Sequence, residues 1–409
     1  MMSQINEINL CEVCGNSVLE PVLDLGTHPM CDDLIKIGDS RVCKEYPIEI
    51  LYCEVCKTAH QRFQIPKQDL FPKSYHYRSR FTADVLKGMR ALTESTNKHI
   101  GSLSGKLVMD VGCNDGSLLD FFQEKGAKTI GIEPTNAYKD ALGKGHTIIN
   151  GFFSPQSAME IKKTHGSPDV ITFTNVFAHI ENLPEVIEAL KILISPETMI
   201  VIENHYLGAV LKLNQFDTFY HEHPRTYSLT SFHYIAKSLG CELKTVEFPH
   251  RYGGNIRVFM ASANLDIQKE NLEDIQLVLE KEAHFGKDLK DLQQWISKWQ
   301  KETKHKLNAM FNKTGKIVAK AFPGRAAILV KLLALDADTI EAVYEKPGSM
   351  KIGSYLPGTR IPIDSDETLF SKIESVENIL NLAWHIPTEI ENYLKEHNFK
   401  GNIVNIIEL

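Results

Sequence analysis

From Lys106 onward the apolar positions switch between short period-two runs and longer stretches of helical period. Strands are predicted at Leu107–Val111, Thr129–Ile132, Val170–Thr174 and Met199–Glu203, with helices over Ser117–Lys125, Ser157–Thr164 and Leu183–Leu193 between them. Such alternation predicts an α/β fold, a doubly wound sheet whose right-handed crossovers leave the ligand site at the C-terminal edge of the strands. Residues 269–313 read as long polar helices, with Trp295 and Trp299 at i,i+4 spacing as a packing stripe. A second α/β unit follows, with strands Ile317–Phe322 and Ile340–Tyr344 and a helix beginning at Gly324.

Before Lys106 the pattern is different. Residues 1–70 are short segments with too few apolar positions for a core of their own, and a domain of that size usually needs a staple. The expected division is therefore residues 1–70, 71–265, a helical connector over 266–313, and a C-terminal Rossmann-like α/β domain over 314–409.

The chain has 409 residues and a net charge of −7, with no basic stripe, which argues against a nucleic-acid partner. No apolar run approaches the roughly 18–20 residues that cross a bilayer, so no membrane partner is expected. The first residues lack a basic start followed by an apolar stretch, and the expected location is the cytoplasm. There the eight cysteines are ligands or buried thiols more readily than disulfides.

Four of them form two Cys-x-x-Cys knuckles, Cys11 with Cys14 and Cys53 with Cys56. Two such turns can close one tetrahedral zinc site, and four protein ligands leave no open position, so the expected zinc is structural. Cys31 and Cys43 remain as spare thiols.

The turn Asp110-x-Gly112-x-Asn114-Asp115-Gly116 joins the first strand to its helix, and Glu133, followed by Pro134, ends the next strand. Glycines let the backbone approach a ligand, and a carboxylate at the second strand end can accept both ribose hydroxyls. Asp115 would repel a pyrophosphate at this helix start, so the turn suits a ribose-bearing cofactor without phosphate, namely S-adenosylmethionine.

Two further clusters follow strand ends. Asn175 and His179 come after the third predicted strand, and Asn204-His205-Tyr206 after the fourth. Tyr220-His221-Glu222-His223-Pro224 is too tightly spaced for a helical zinc pair, and Pro224 opposes a helix. The chemistry left is acid–base work by an imidazole near neutrality, against the plainer reading that these histidines hydrogen-bond loop backbone.

At these residues the chain resembles the S-adenosylmethionine-dependent sugar C-methyltransferases that act on nucleotide-linked 4-keto-6-deoxy sugars. The likeness covers nearly the whole chain: the double knuckle, Tyr75-x-Tyr77, the Asp110–Gly116 turn, Asn175-x-x-x-His179-Ile180, Tyr220-His221-Glu222-His223 with Tyr227-Ser228, and Gly253-Gly254-Asn255-Ile256-Arg257-Val258. It continues through Lys351-x-Gly353-x-x-x-Pro357-Gly358-Thr359-x-Ile361-Pro362-Ile363.

The resemblance implies a class I methyltransferase sheet with an N-terminal zinc-binding domain, and methyl transfer to a ring carbon, C-3 by expectation, through an enolate. It implies His223 as base with Glu222 and Tyr220 beside it, and His179, Tyr75 or Tyr77 facing the sugar. Asp110, Gly112, Cys113, Asn114, Glu133, Pro134 and Asn175 would hold the methyl donor. Asn204, Lys351 and Arg360 would meet the nucleotide sugar.

The chain departs from the family where Phe322-Pro323-Gly324-Arg325 replaces a Gly-Ala-x-x-Lys-Gly turn, and where Asn255 replaces a commoner serine. The competing readings are a keto-sugar epimerase or isomerase on the same scaffold, a nucleic-acid methyltransferase using the knuckles as a clamp, and a non-catalytic zinc-stapled scaffold.

Overall fold

A computed structural model describes residues 5–71, 78–81, 83–267 and 273–408. The chain forms two compact units: residues 1–21, 51–212 and 222–287, and residues 22–50, 213–221 and 288–409. Residues 22–50, expected within one small N-terminal domain, are therefore grouped with the second unit. Their short strand Ile35–Lys36 hydrogen-bonds antiparallel to Ser354–Tyr355, and that pairing is the physical reason.

The first unit is built on a seven-stranded sheet. Its strands in chain order are β1 Leu107–Val111, β2 Lys128–Ile132, β3 Thr147–Ile149, β4 Val170–Thr174, β5 Met199–His205, β6 Glu242–Glu247 and β7 Asn255–Ala261. They lie in the order β6-β7-β5-β4-β1-β2-β3. The five strands β1 to β5 are parallel, and β7 runs antiparallel between β5 and β6. This is the class I methyltransferase fold, and the order reverses between β1 and β4, where such sheets open a crevice.

The crossover helices show why the sequence folds this way. In Leu183–Leu193, Asn182 caps the start by accepting from the Glu185 amide at 3.2 Å, and Pro184 sits in the first turn, where its missing N–H costs nothing. Leu183, Val186, Ala189, Leu190 and Leu193 form the buried stripe, and each large side chain contributes about 1.5–3 kcal/mol by leaving water. Leu190→Ala would cost about 2–5 kcal/mol.

The second unit carries another seven-stranded sheet: β8 Ile317–Lys320, β9 Ile340–Glu345, β10 Ser354–Tyr355, β11 Pro362–Ser365, β12 Asn378–Asn381 and β13 Asn402–Asn405, with Ile35–Lys36 at the edge. Its order is β13-β12-β8-β9-β11-β10 and then Ile35–Lys36. Here β8 stops two residues short of Phe322, because Ala321 adopts φ +61°, which an extended strand cannot continue. The helix starts at Ala326, after a turn in which the Ala326 amide donates to the Pro323 carbonyl at 2.8 Å. Trp295 and Trp299 stack at 6.4 Å, with the Trp299 indole donating to the Ile406 carbonyl at 2.9 Å. Trp299 is buried in the core and Trp295 half-buried beside it, the packing stripe that their spacing predicts. Among the described residues no helix is long and apolar enough to cross a membrane.

Candidate active site

The C-terminal ends of β4 and β5 bring three imidazoles of the first unit together. His179 follows β4 on a short 3₁₀ turn, His205 ends β5, and His223 sits in the loop before α-helix Leu229–Ser238. The His179 and His223 ring centroids are 4.7 Å apart, and those of His205 and His223 are 5.3 Å apart. Phe71 closes one side, edge-on to His179 at 5.4 Å.

His179 Nδ1 lies 2.7 Å from the Glu222 carbonyl oxygen. A carbonyl only accepts, so Nδ1 carries the proton and donates it. Burial is the largest influence on this ring and lowers it to about 4, against the opposing backbone hydrogen bonds at Glu222 and Asn175. The neutral ring therefore presents a bare Nε2. Glu222 and His223 are both buried.

Asn204 is 1% exposed, and neither atom of its amide has a hydrogen-bond partner among the described residues. A buried amide left open at both ends costs about 1–3 kcal/mol per group, which marks a place for a polar ligand. Its strand neighbour Glu203 is engaged instead. Glu203 is buried against Arg251 at 3.0 Å and Arg257 at 2.7 Å, and it accepts from Asn255 Nδ2 at 3.1 Å. Asn255 Nδ2 also reaches Asn175 Oδ1 at 3.3 Å, a cross-link between two strand ends that a serine could not make in this form.

The β1 turn has the shape of a ligand cradle. Gly112 takes φ +71°, and a Cβ there would meet Val176 Cγ2 at 2.6 Å. Asn114 takes φ +50° and its amide donates to Glu133 Oε2 at 3.0 Å. Glu133 Oε1 accepts from Thr135 N at 2.8 Å and Oγ1 at 2.6 Å, so the carboxylate is held at the end of β2 with about one acceptor site left, on Oε2. Pro134 beside it is half-buried.

Asp110 accepts from Thr172 Oγ1 at 2.6 Å, and burial lifts its carboxyl to about 7. Cys113 is buried towards Gly131, where an added Cβ would come within 2.4 Å of its sulfur, so it packs the turn against β2. Asp115 accepts from the Ser117 hydroxyl at 2.6 Å and backbone N–H at 3.2 Å, and from the Arg80 backbone N–H at 2.9 Å. A pre-held carboxylate at Glu133 and a turn without Cβ atoms at Gly112 and Gly116 fit a sulfonium nucleoside.

The knuckle cysteines Cys11, Cys14, Cys53 and Cys56 place their sulfurs within 4.8 Å of one another, with Cys11–Cys56 at 3.4 Å and Cys14–Cys53 at 3.6 Å. A tetrahedral zinc with Zn–S of about 2.3 Å needs sulfur separations of roughly this size. Each knuckle closes on itself, Gly15 N donating to Cys11 O and Lys57 N to Cys53 O, both at 2.8 Å. The donor set fits a closed structural site.

Other expected residues lie elsewhere. Tyr75 and Tyr77 fall outside the described residues. Tyr220 is half-buried and belongs with the second unit. His221, also there, donates from Nε2 to the Tyr46 carbonyl at 3.1 Å, the plain backbone role that the sequence leaves open. Lys351 donates to the Phe322 carbonyl at 2.5 Å. Arg360 donates to the carbonyls of Asp39, Ser40 and Arg41 at 2.7, 3.1 and 2.8 Å, so its guanidinium holds a turn together. His205 was noted in its tripeptide but given no role, although its position as the last residue of a parallel strand is a signal for one.

Three protein-family models match in succession: a zinc binding domain over residues 11–71, a methyltransferase domain over 76–246, and a C-methyltransferase C-terminal domain over 250–407. The C-methyltransferase NovU of Streptomyces niveus is 28% identical over 402 residues, spanning 97% of this chain and 94% of that protein. The ubiquinone biosynthesis O-methyltransferase of Sodalis glossinidius is 30% identical over 100 residues, which cover 24% of this chain and 40% of that enzyme. Among solved structures, the magnesium protoporphyrin IX methyltransferase of Synechocystis is 16% identical over 44% of this chain and 83% of that one, with a TM-score of 0.34. The cofactors are S-adenosylmethionine and a zinc ion. The chain thus carries, in order, a zinc binding domain, a methyltransferase domain and a C-methyltransferase C-terminal domain, and over nearly its whole length it is similar to a C-methyltransferase.

Proposed function

We propose that the protein transfers a methyl group from S-adenosylmethionine to a ring carbon, C-3, of a nucleotide-linked 4-keto-6-deoxy sugar. The observation that supports this reading is the His179–His223–His205 cluster at the strand ends, together with the buried Asn204 amide on the same strand as His205, which has no hydrogen-bond partner among the described residues.

A ketone at C-4 acidifies the hydrogen on C-3. The His223 imidazole takes that proton, and the C–H electron pair moves into an enolate with its charge on O-4. In this reading Asn204 Nδ2 donates to that developing oxyanion, a contribution that for a single donor is worth about 2.7–4 kcal/mol. His179, with its proton held on Nδ1 by Glu222, accepts from a sugar hydroxyl through Nε2. S-adenosylmethionine, when bound, would supply an electrophilic methyl for C-3, the electron pair of its C–S bond remaining on sulfur. Glu133 and the Gly112–Asn114 backbone hold its ribose.

The test is to incubate the protein with S-adenosylmethionine and a panel of nucleoside diphosphate 4-keto-6-deoxy sugars and read product masses. A gain of one CH₂ on carbon supports the proposal. An isomer of unchanged mass would assign an epimerase, and no product from any keto sugar would reject the reading.

A further inference from the structure

Arg225 lies two residues after His223 and is fully buried. Its Nε donates to Tyr227 Oη at 3.0 Å, and its Nη1 donates both to Glu12 Oε2 and, at 3.3 Å, to the Glu181 carbonyl. One guanidinium therefore joins three segments: the first zinc knuckle through Glu12, next to Cys11; the His179 loop through Glu181; and its own histidine loop.

The knuckle side of this junction is equally built. The short strand Thr58–Gln61, which follows Cys56, pairs antiparallel with Arg225–Thr226, placing Arg225 opposite His60. The Gln61 amide donates to the Pro224 carbonyl at 2.8 Å. His60 is buried with Nε2 3.3 Å from Cys11 Sγ, and its Nδ1 faces Glu12 Oε2 at 3.8 Å. Glu12 also accepts from Gln64 at 2.8 Å. On the far side Thr58 Oγ1 links Cys56 Sγ at 3.1 Å to Ser231 Oγ at 2.7 Å, and Ser231 belongs to the cap of the helix that ends the loop. The chain from Pro224 to Ser231, immediately after His223, is thus pinned to both knuckles.

We propose that Arg225 is a positioning residue through which the zinc knuckles set the separation of His179 and His223. The knuckles then serve catalysis as well as folding. The proposal rests on the reading of His223 as the base. Misplacing a reacting group by about 1 Å costs on the order of 10²-fold in rate, so a shift of the loop is visible in turnover even when folding is kept.

The test compares wild type, Arg225→Met, Arg225→Lys, Glu12→Gln and, as a control, His223→Ala, all as full-length zinc-loaded protein. Four quantities are read: zinc loss to a chelator, S-adenosylhomocysteine affinity, kcat and KM on the keto sugar, and solvent deuterium incorporation beside the ketone. Arg225→Met is expected to lower kcat and deuterium exchange about 10²-fold with KM and cofactor affinity near wild type. It is also expected to release zinc about tenfold faster, and Arg225→Lys to restore most of each.

If Arg225→Met does not fold, Glu12→Gln carries the test, with an expected loss of about tenfold in exchange. Wild-type exchange and zinc release in a folded Arg225→Met or Glu12→Gln variant would overturn the coupling, as would a lysine variant no better than methionine. His223→Ala exchanging like wild type would instead reject the base assignment, and the zinc-release arm would still decide the coupling.

Discussion

His179 donates its Nδ1 proton to the carbonyl of Glu222 at 2.7 Å, so the β4 loop grips the residue immediately before His223. The bond fixes both the tautomer of His179 and the height of the His223 ring above it. Two roles are thereby separated on one ring, one nitrogen for the loop and one for the substrate.

That separation can be tested by side-chain geometry. His179→Asn places an amide N–H near Nδ1 and keeps the loop bond, whereas His179→Ala removes both functions. Both variants should lose turnover, by about 10²-fold for a lost polar contact to substrate and loop. Only His179→Ala should lose stability as well, by about 1 kcal/mol in denaturant unfolding.

The pH dependence of stability has a defined sign. Burial lowers His221 to about 4, with the Tyr46 carbonyl bond opposing it, while the unfolded ring keeps its ordinary value near 6.5. Between those values the unfolded chain binds more protons, so stability falls as pH drops from about 6.5 to about 4. His179, lowered to about 4, acts in the same direction. His221→Gln, which keeps a donor near Nε2, should flatten the curve of Tm against pH across this window.

Gly112 offers a two-step test of the cofactor cradle. Gly112→Ala combines left-handed backbone strain with a 2.6 Å approach to Val176 Cγ2. The strain alone costs about 1–2 kcal/mol, and the clash adds about 1–3 kcal/mol. Pairing it with Val176→Ala should recover the clash part only. S-adenosylhomocysteine affinity by calorimetry should stay reduced in Gly112→Ala.

Zinc removal tests the knuckles. With four cysteines closing one site, the protein should bind one zinc per chain by elemental analysis, and a strong chelator should lower Tm steeply. Cys56→Ser should give the same phenotype. A Tm indifferent to the chelator would remove the metal from the account.

Much of this was legible in the sequence because local pattern and tertiary demand agree. β1 Leu107–Val111, β4 Val170–Thr174 and the helix Leu183–Leu193 have the bounds that their apolar patterns predict, since the two strands are buried on both faces and the helix along one stripe. The antiparallel β6–β7 pair was not read as strands. Lys244, Glu247 and Arg257 interrupt its apolar pattern, and they are accommodated by partners such as Glu203 that come from elsewhere in the chain. Ile35–Lys36 was equally hidden, because two residues carry no period and their pairing is with a strand more than three hundred positions away. The four-cysteine cluster was readable from spacing alone, whereas the separate settings of His221 and His223 were not. Two histidines with one residue between them look alike until their hydrogen-bond partners are known.

The central claim is most directly tested by following solvent deuterium into the carbon beside the ketone, without methyl donor turnover, in wild type and in His223→Ala. Both proteins must first be shown to bind S-adenosylhomocysteine. The account predicts that wild type exchanges and that His223→Ala is slower by about 10²–10⁴-fold, the range for loss of a positioned base. Exchange at the wild-type rate in the alanine variant would contradict it.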